Sequence, residues 1–419
     1  MHAQQCAYLQ LIRILQSAVV TLLLISPAYV RCGEPTGRRL QDYVSRSIAR
    51  SARLGKHTSV TQAAQEDLPI GESHPHIVST GAAGLAKGCC TYSERYDVYK
   101  DFTKLHGTSW DPNIEIPDSN YTVIMRVHHG LKWSEDLRLS VRAMMTECRR
   151  AGLHFWLLHQ DSSSNVPDSN ARPTNFILDC PEEVRSIVRT FTAATVHGAY
   201  PLLHKFDDPH LRDYLTYLTF LRRYPGYKFA WVLESDVRYT GPDWGSLLNS
   251  MLNIAAASLM GTNCQDFDSS LATLPASDVE LPDLVLMSHQ EIPSESPITS
   301  KWAPRDIEHW RFQNLIRVLV NLWGMSRQYI DILHELSVEG NGGYVEDFIA
   351  TMAVEEKLSI VSMPHAEYGG FSFHCCIPDG TRYYTDWYLT GECRNYALNH
   401  PVKNDNESIW GKTQNLYNK

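Results

Sequence analysis

The sequence predicts an α/β fold in which a mostly parallel sheet is covered by helices on both faces. Residues 229–233 form a short apolar run with aromatic and β-branched members and no helical period, as in a buried parallel strand. Residues 121–127 and 153–158 are two further strand candidates, and an amphipathic segment lies between them at residues 134–150. This strand–helix–strand order implies a right-handed parallel crossover.

The rest of the chain continues the alternation of helices and strands. Ser134 and Ser326 each precede an amphipathic segment and are typical N-cap residues, while Pro225-Gly226 ends the helix before the central strand. The further predicted elements are helix 211–224, helix 244–260, strand 284–287, strand 317–322, helix 327–336, a helix opening near residue 345 and strand 358–363. We therefore expect several strand ends to meet at one edge of the sheet.

Composition excludes some classes of function. The chain has 419 residues, 43% of them hydrophobic and 20% charged, which is ordinary for a globular protein of one large or two medium domains. A formal charge of −9 argues against a general nucleic-acid binder. The chain carries no glycine-rich dinucleotide or P-loop fingerprint, which argues against NAD-dependent enzymes and ATP-driven motors.

The first 88 residues predict targeting and linking segments before the ordered domain. An apolar run at residues 14–25 predicts a signal peptide or signal anchor within residues 1–30. Arginines follow this run more often than they precede it, which disfavours a lumenal orientation for an anchor, and a mitochondrial presequence is a further alternative. Residues 31–88 read as a flexible stem. Residues 89–419 are then one domain, with a cysteine-containing extension from about residue 371.

Cysteines and sequons are compatible with the secretory pathway. Eight cysteines fall outside the leader and stem: Cys89, Cys90, Cys148, Cys180, Cys264, Cys375, Cys376 and Cys393. Their even number suggests disulfides, and the adjacent pairs at the two ends of the domain could join its termini. A zinc site at residues 374–376 with Cys393 is the alternative, although its spacing fits no strong template. Asn120 and Asn406 open N-glycosylation triplets.

The central strand ends in two carboxylates. Glu234 and Asp236 are one residue apart, so an extended backbone directs both to the same side. In open α/β sheets the carboxyl end of a strand is where ligands bind. Carboxylates are hard oxygen ligands for Mg²⁺ or Mn²⁺, and Arg238, two residues on, can bind a phosphate with two hydrogen bonds. A polar turn after the strand explains the same residues equally well.

A second set of polar residues opens a late helix. Glu346 and Asp347 follow Gly342-Gly343, and either carboxylate could act as a general base. The helix dipole favours acidic residues in a first turn without any catalysis, so this alternative stays open. His365 follows the last predicted strand and is a candidate metal ligand, although a single histidine is more often structural.

Taken in order, these features resemble the glycosyltransferase type A fold of the nucleotide-diphospho-sugar transferases. Residues 234–241, Glu-Ser-Asp-Val-Arg-Tyr-Thr-Gly, more closely resemble the signature of a largely uncharacterised eukaryotic family that is common in fungi and catalogued only as a domain of unknown function. The resemblance spans roughly residues 118–370, from the strand end Met125-Arg126 to Met363-Pro364-His365. The leading acidic residue is Glu234, where the usual residue is Asp.

The resemblance implies a three-layer, Rossmann-like sheet and a ligand set for the donor. Mn²⁺ or Mg²⁺ would be bound by Glu234, Asp236 and His365. The diphosphate of a nucleotide-sugar donor would be contacted by Arg238, Arg126 and Asp236.

The resemblance also implies a Golgi-type glycosyltransferase with Asp347, or Glu346, as the catalytic base. Its acceptor would be the hydroxyl of a glycan, glycoprotein or glycolipid. The protein would be secreted, or be a single-pass type II membrane protein in the Golgi or ER lumen, with contact to the membrane through its first segment. Two alternatives are a non-catalytic carbohydrate-binding protein on the same scaffold and a metal-dependent hydrolase that uses His128 and His129 beside the two carboxylates.

Overall fold

The computed structural model describes residues 77–79, 89–107, 110–114, 118–128, 131–161, 175–203, 213–261, 273–275, 279–287, 289–293, 314–318, 320–363, 384, 387–395, 398–400 and 402. All of them belong to one unit, Ser73–Lys419. The predicted leader, most of the predicted stem, His129, His365 and Asn406 lie outside the described residues. Among the described helices, none has the length and apolar character that crossing a membrane requires.

The elements alternate along the chain as the sequence predicts. The strands are β1 (Ile77–Ser79), β2 (Cys89–Cys90), β3 (Tyr121–His128), β4 (His154–Asp161), β5 (Val188–Thr192), β6 (Phe229–Glu234), β7 (Arg238–Tyr239), β8 (Leu284–Leu286), β9 (His289–Pro293), β10 (Asn314–Val318), β11 (Leu322–Ser326), β12 (Ile360–Ser362), β13 (Arg394–Asn395) and β14 (Leu398–Asn399). The helices are α1 (Tyr92–Tyr96), α2 (Phe102–His106), α3 (Glu135–Arg150), α4 (Asn175–Leu178), α5 (Ala193–Ala199), α6 (Asp213–Arg223), α7 (Trp244–Leu259), α8 (Arg327–Val338) and α9 (Val345–Glu355).

An eight-stranded sheet organises the described part of the chain. Its strands lie side by side in the order β1-β12-β8-β11-β6-β3-β4-β5. Neighbours are parallel except at β11, which runs antiparallel to both β6 and β8. From β3 the chain moves outward to β4 and β5, and it then returns to the other side of β3 to form β6. The strand order therefore reverses between β3 and β6, which makes their carboxyl ends a topological switch point.

Helices cover both faces of this sheet, as predicted. Every residue of β6 from Phe229 to Leu233 is buried, which requires apolar cover on each side. Helices α3 and α7 pack against each other, and α6 packs against α8. Gly245 permits the first contact, because a Cβ there would lie 2.5 Å from the Glu147 carbonyl oxygen. The predicted α/β class with a mostly parallel sheet is confirmed.

Two predicted N-caps are present, and one strand boundary differs from the prediction. Ser134 accepts a hydrogen bond from the amide of Leu137, and Ser326 caps α8 through Tyr329. The strand predicted at 317–322 is two strands instead: β10 ends at Val318 and β11 begins at Leu322. Gly324 therefore lies inside β11, where it makes room for the aromatic rings of the neighbouring strand β6.

The two ends of the described domain are joined. A disulfide connects Cys89 with Cys393, and β13 pairs with β2 next to it. This disulfide removes Cys393 from the alternative zinc site. Residues Ile77–Ser79, which fall in the predicted stem, form β1 and extend the edge of the sheet beside β12. A second small core lies under these joined segments and consists of Tyr92, Tyr96, Tyr99, Leu139, Ala143, Tyr384, Trp387 and Val402.

Candidate metal centre

The site lies at the switch point of the sheet. Arg126 on β3 and Glu234 on β6 are register partners at the carboxyl ends of two parallel strands. The backbone amide of Glu234 donates to the carbonyl oxygen of Asn321, which lies just before β11. The antiparallel strand β11 therefore begins at the edge where β3 and β6 end, and it brings the side chain of Asn321 to Glu234.

Three potential metal ligands come together at this edge. The ligand atoms of Glu234, Asp236 and His400 all lie within 4.8 Å of one another. His400 Nε2 is 3.2 Å from Glu234 Oε2 and 3.3 Å from Asp236 Oδ1. Asn321 Nδ2 lies 2.8 Å from the same Glu234 oxygen and 2.9 Å from His400 Nε2. Two carboxylates and one imidazole thus converge on one small volume.

The carboxyl-terminal part of the chain contributes His400 to the cluster. Strand β14 pairs antiparallel with β7, so Asn399 lies beside Arg238 and places His400 next to the carboxylates. The amide of Val402 donates to the backbone oxygen of Asp236 at 2.8 Å. Because His400 is only 4% exposed, its ring is held by the surrounding residues against the loop that carries Asp236.

His400 and the two carboxylates stabilise one another's charged forms. Burial alone would lower the pKa of His400, but its hydrogen bonds to Asp236 and Glu234 and their negative charges raise the pKa to about 9. Burial raises the pKa of Glu234, whereas the hydrogen bond from His400 and the positive charges of His400 and Arg126 lower it, with a net decrease. His400 Nε2 thus lies between two carboxylates that both favour the protonated imidazole.

The third ligand of the cluster is a residue that the sequence prediction did not select. His365, the predicted ligand, lies outside the described residues. No local sequence pattern marks His400 as a metal ligand, because its position depends on the pairing of β14 with β7, which are more than 150 residues apart in the chain. His128, named for the alternative hydrolase, ends β3 as an exposed residue and is not a member of the described cluster.

Arg238 does not face this site. Its side chain is fully buried, and Nε donates to Asp136 Oδ2 at 2.9 Å. The same guanidinium donates to the backbone oxygens of Ser235 and Val237 at 2.6 and 3.1 Å. These bonds hold the turn after Glu234 in shape. The geometry therefore favours a structural role for Arg238 over the predicted contact with a phosphate.

Arg126 remains at the site and is paired with an acid. Its guanidinium forms an ion pair with Asp213 at the start of α6, and both side chains are largely buried. Its positive charge adds to the lowering of the pKa of Glu234, after the larger effects of the hydrogen bond and the charge of His400. Arg126 therefore places a positive charge beside Glu234 at the switch point.

The two acidic residues that open α9 have different surroundings. Asp347 is 1% exposed, and Arg317 of β10 binds both of its oxygens at 2.8 Å. Glu346 is half-buried. Burial raises the pKa of Glu346, and the negative charges of Asp347 and Glu234 add to this, although a hydrogen bond with Tyr344 and the charge of Arg317 oppose it. Both oxygens of Asp347 are therefore engaged in an ion pair, whereas the pKa of Glu346 responds to the charge of Glu234.

Comparison with known proteins gives a match to one family model and likenesses to solved structures. A family described as a protein of unknown function (DUF3405) matches residues 103–258, which include β3, α3 and Glu234. No curated protein gives a significant match. The chain is similar to a solved protein described as a nucleotide-diphospho-sugar transferase from Desulfovibrio desulfuricans G20, at 10% identity and a TM-score of 0.27, over 59% of this chain and 80% of that one. It is also similar to the inositol-1-phosphate CTP transferase of T. maritima, at 9% identity and a TM-score of 0.28, over 58% and 85% of the two chains.

Proposed function

We propose that the chain is a metal-dependent transferase that takes a sugar from a nucleotide-diphospho-sugar donor and passes it to a hydroxyl acceptor. The observation that carries this proposal is the convergence of Glu234, Asp236 and His400 at the switch point of the sheet. Ligands of open α/β proteins bind at this place. A diphosphate needs positive charge there, and a divalent cation held by two carboxylates supplies it.

The donor set fits Mn²⁺. Carboxylates suit Mg²⁺, Ca²⁺ and Mn²⁺, and an imidazole among them disfavours the two harder cations. Asn321 Oδ1 is buried and has no hydrogen-bond partner among the described residues, so an amide oxygen is available beside the three ligands. A bound cation would neutralise the negative charge that develops on the leaving nucleoside diphosphate.

The protein's own residues would bind the donor and prepare the acceptor. Arg126 lies where the charged diphosphate approaches and would help to orient it. Glu346 would accept the proton of the acceptor hydroxyl, because its raised pKa brings it closer to that of an effective general base near neutral pH. Arg317 would hold α9 in place through Asp347 and so position Glu346.

A donor screen tests the proposal directly. The purified chain is incubated with a panel of nucleotide sugars, with Mn²⁺ or with a chelator, and the release of nucleoside diphosphate is measured. We expect slow hydrolysis of one donor or a small group of donors in Mn²⁺, and none with the chelator. Turnover that survives chelation would contradict a metal-dependent mechanism. If no donor is cleaved or bound, a carbohydrate-binding function becomes the better hypothesis.

We also propose that the domain acts in the lumen of the secretory pathway on a glycan, glycoprotein or glycolipid. The Cys89–Cys393 disulfide supports an oxidising compartment. Asn120 is exposed next to the amino end of β3, at the edge of the sheet opposite the metal ligands, so a glycan there would leave the site open.

The glycosylation state tests this location. When the full chain is expressed in a eukaryotic host, we expect it to lose mass on treatment with an N-glycosidase. Asn120→Gln should remove one glycan's mass and leave the yield of folded protein similar, since the side chain is exposed. An unglycosylated chain recovered from the cytosol would contradict the lumenal location.

A further inference from the structure

Asn321 lies directly against two of the three proposed metal ligands. It precedes β11, and its backbone oxygen accepts a hydrogen bond from the amide of Glu234 at 3.0 Å. The residue is 6% exposed. The pairing of β11 with β6 holds the backbone at this place, so no ion is needed to bring the side chain to the site.

The side-chain amide completes a triangle of polar atoms. Asn321 Nδ2 is 2.8 Å from Glu234 Oε2 and 2.9 Å from His400 Nε2, and the latter two atoms are 3.2 Å apart. Adjacent ligand atoms of an octahedral site with bonds of about 2.1 Å lie about 3.0 Å from one another. The three atoms thus have the spacing of one face of an octahedral cation site, and Asp236 Oδ1 extends it, at 3.3 Å from His400 Nε2.

The amide nitrogen at this corner of the triangle is not itself a metal ligand. An amide NH₂ group only donates hydrogen bonds, whereas the amide oxygen carries two lone pairs. That oxygen, Asn321 Oδ1, is buried and has no hydrogen-bond partner among the described residues. A half-turn about the Cβ–Cγ bond exchanges the two atoms and breaks no hydrogen bond of the oxygen. It thereby puts a lone pair at the corner that the nitrogen holds.

A divalent cation would reverse which orientation of the amide is favoured. In its absence, Nδ2 donates a hydrogen bond to Glu234 Oε2. With a cation bound, Glu234 and His400 would direct their lone pairs at the ion, and an N–H group pointing the same way would be repelled by its charge. The side-chain oxygen of asparagine is by contrast a common ligand of hard divalent cations.

We propose that Asn321 is the fourth protein ligand of the metal centre and binds the divalent cation through Oδ1 after this half-turn of its amide. The inference rests on the metal site of the proposed function and adds a neutral ligand to it. The cation would then have two carboxylates, one imidazole and one amide oxygen from the protein, with its remaining positions left for water or the donor.

The test combines titration of the full chain with Mn²⁺ alone, by calorimetry, with electron paramagnetic resonance. The broadening of the Mn²⁺ signal in isotopically labelled water counts the water molecules bound to the ion. In Asn321→Ala we expect the dissociation constant to rise by roughly 10–100-fold, as for other residues that support a metal site. We also expect the ion to gain one water, because a coordination position is vacated.

Two further variants frame this result. Asn321→Asp keeps an oxygen at the same place, so its Mn²⁺ should hold as many waters as in the wild type and should bind at least as tightly. Asn253→Ala is the matched control: its amide bonds to the backbone oxygens of Asn249 and Thr273, and its loss should leave affinity and bound water unchanged. Circular dichroism checks the fold of each variant, and Asn321→Asp decides alone if Asn321→Ala does not fold.

The water count separates a ligand from a residue that only orients Glu234. If Asn321→Ala binds Mn²⁺ more weakly without gaining a water, Asn321 occupies no coordination position and the inference is overturned. A water gained in Asn321→Asp would overturn it as well. Wild-type affinity in Asn321→Ala would also contradict it, and the metal site would stand provided that Asp236→Asn abolishes binding. If the wild type binds no Mn²⁺, the inference and the proposed metal site fail together.

Discussion

Replacement of Asp236 by asparagine should lower Mn²⁺-dependent cleavage of the donor by roughly 10³-fold, which is the upper range for removing one group that stabilises developing charge. Asparagine keeps the shape of the side chain and removes the negative charge that the cation needs. The fold should survive, because the bond from the Val402 amide goes to the backbone oxygen of Asp236 and is not altered. The stabilisation of the protein by Mn²⁺ with a nucleoside diphosphate should vanish as well.

The measurement is the initial rate together with the shift of the melting temperature on adding Mn²⁺ and nucleoside diphosphate. Asp331→Asn is the matched control, since Asp331 forms an exposed ion pair with Arg222. It should change stability by less than about 1 kcal/mol and leave the rate unaltered. If Asp236→Asn keeps the thermal shift of the wild type, the cation does not bind at this cluster.

Replacement of Glu346 by glutamine should lower turnover by roughly 10²–10⁴-fold, as expected for loss of a general base. Donor binding should stay nearly intact, because the base acts only when the acceptor hydroxyl is attacked. Glu346 is chosen for its environment. It is half-buried, and its pKa is raised by burial and by the neighbouring carboxylates of Asp347 and Glu234, the latter a proposed metal ligand.

Asp347→Asn is the informative comparison, and it should behave differently. Asparagine cannot neutralise Arg317, so a largely buried guanidinium loses both of its charged hydrogen bonds. We expect a loss of roughly 3 kcal/mol in the free energy of unfolding, measured by urea denaturation, and a smaller loss of turnover than in Glu346→Gln. If Asp347→Asn abolishes turnover at full stability while Glu346→Gln has normal rates, the two roles are exchanged and Asp347 is the base.

Several features of this protein could be predicted from the sequence because their physical causes are local. An apolar run such as residues 229–233 lacks the helical period and needs cover on two faces, which already indicates a buried strand of an α/β sheet. Ser134 and Ser326 cap helices through bonds that span only three residues. The sequence predicts that Glu234 and Asp236 face one side, and their ligand atoms do lie close together, although Ser235 and Asp236 form a turn and not the extended backbone that the prediction assumed.

Other features depended on contacts that no local pattern encodes. The predicted strand 317–322 ends before Gly324, but Gly324 lies within β11, where the rings of β6 occupy the space that a side chain would fill. Arg238 has the chemistry of a phosphate ligand, and only the structure shows that its buried side chain is directed to Asp136 and to the turn after Glu234. Asp347 likewise has the chemistry of a base, and only the approach of β10 places Arg317 on it.

The proposed metal centre combines both kinds of information. Its two carboxylates follow from the end of one strand, and the sequence by itself determined them, together with the class of the fold. Its imidazole comes from His400, which reaches the site through a two-residue ladder and a disulfide to Cys89 at the opposite end of the domain. Such long-range pairings are decided by the packing of the whole sheet, because a ladder of two residues is too weak to select its own partner. Only the tertiary structure could therefore identify the third ligand.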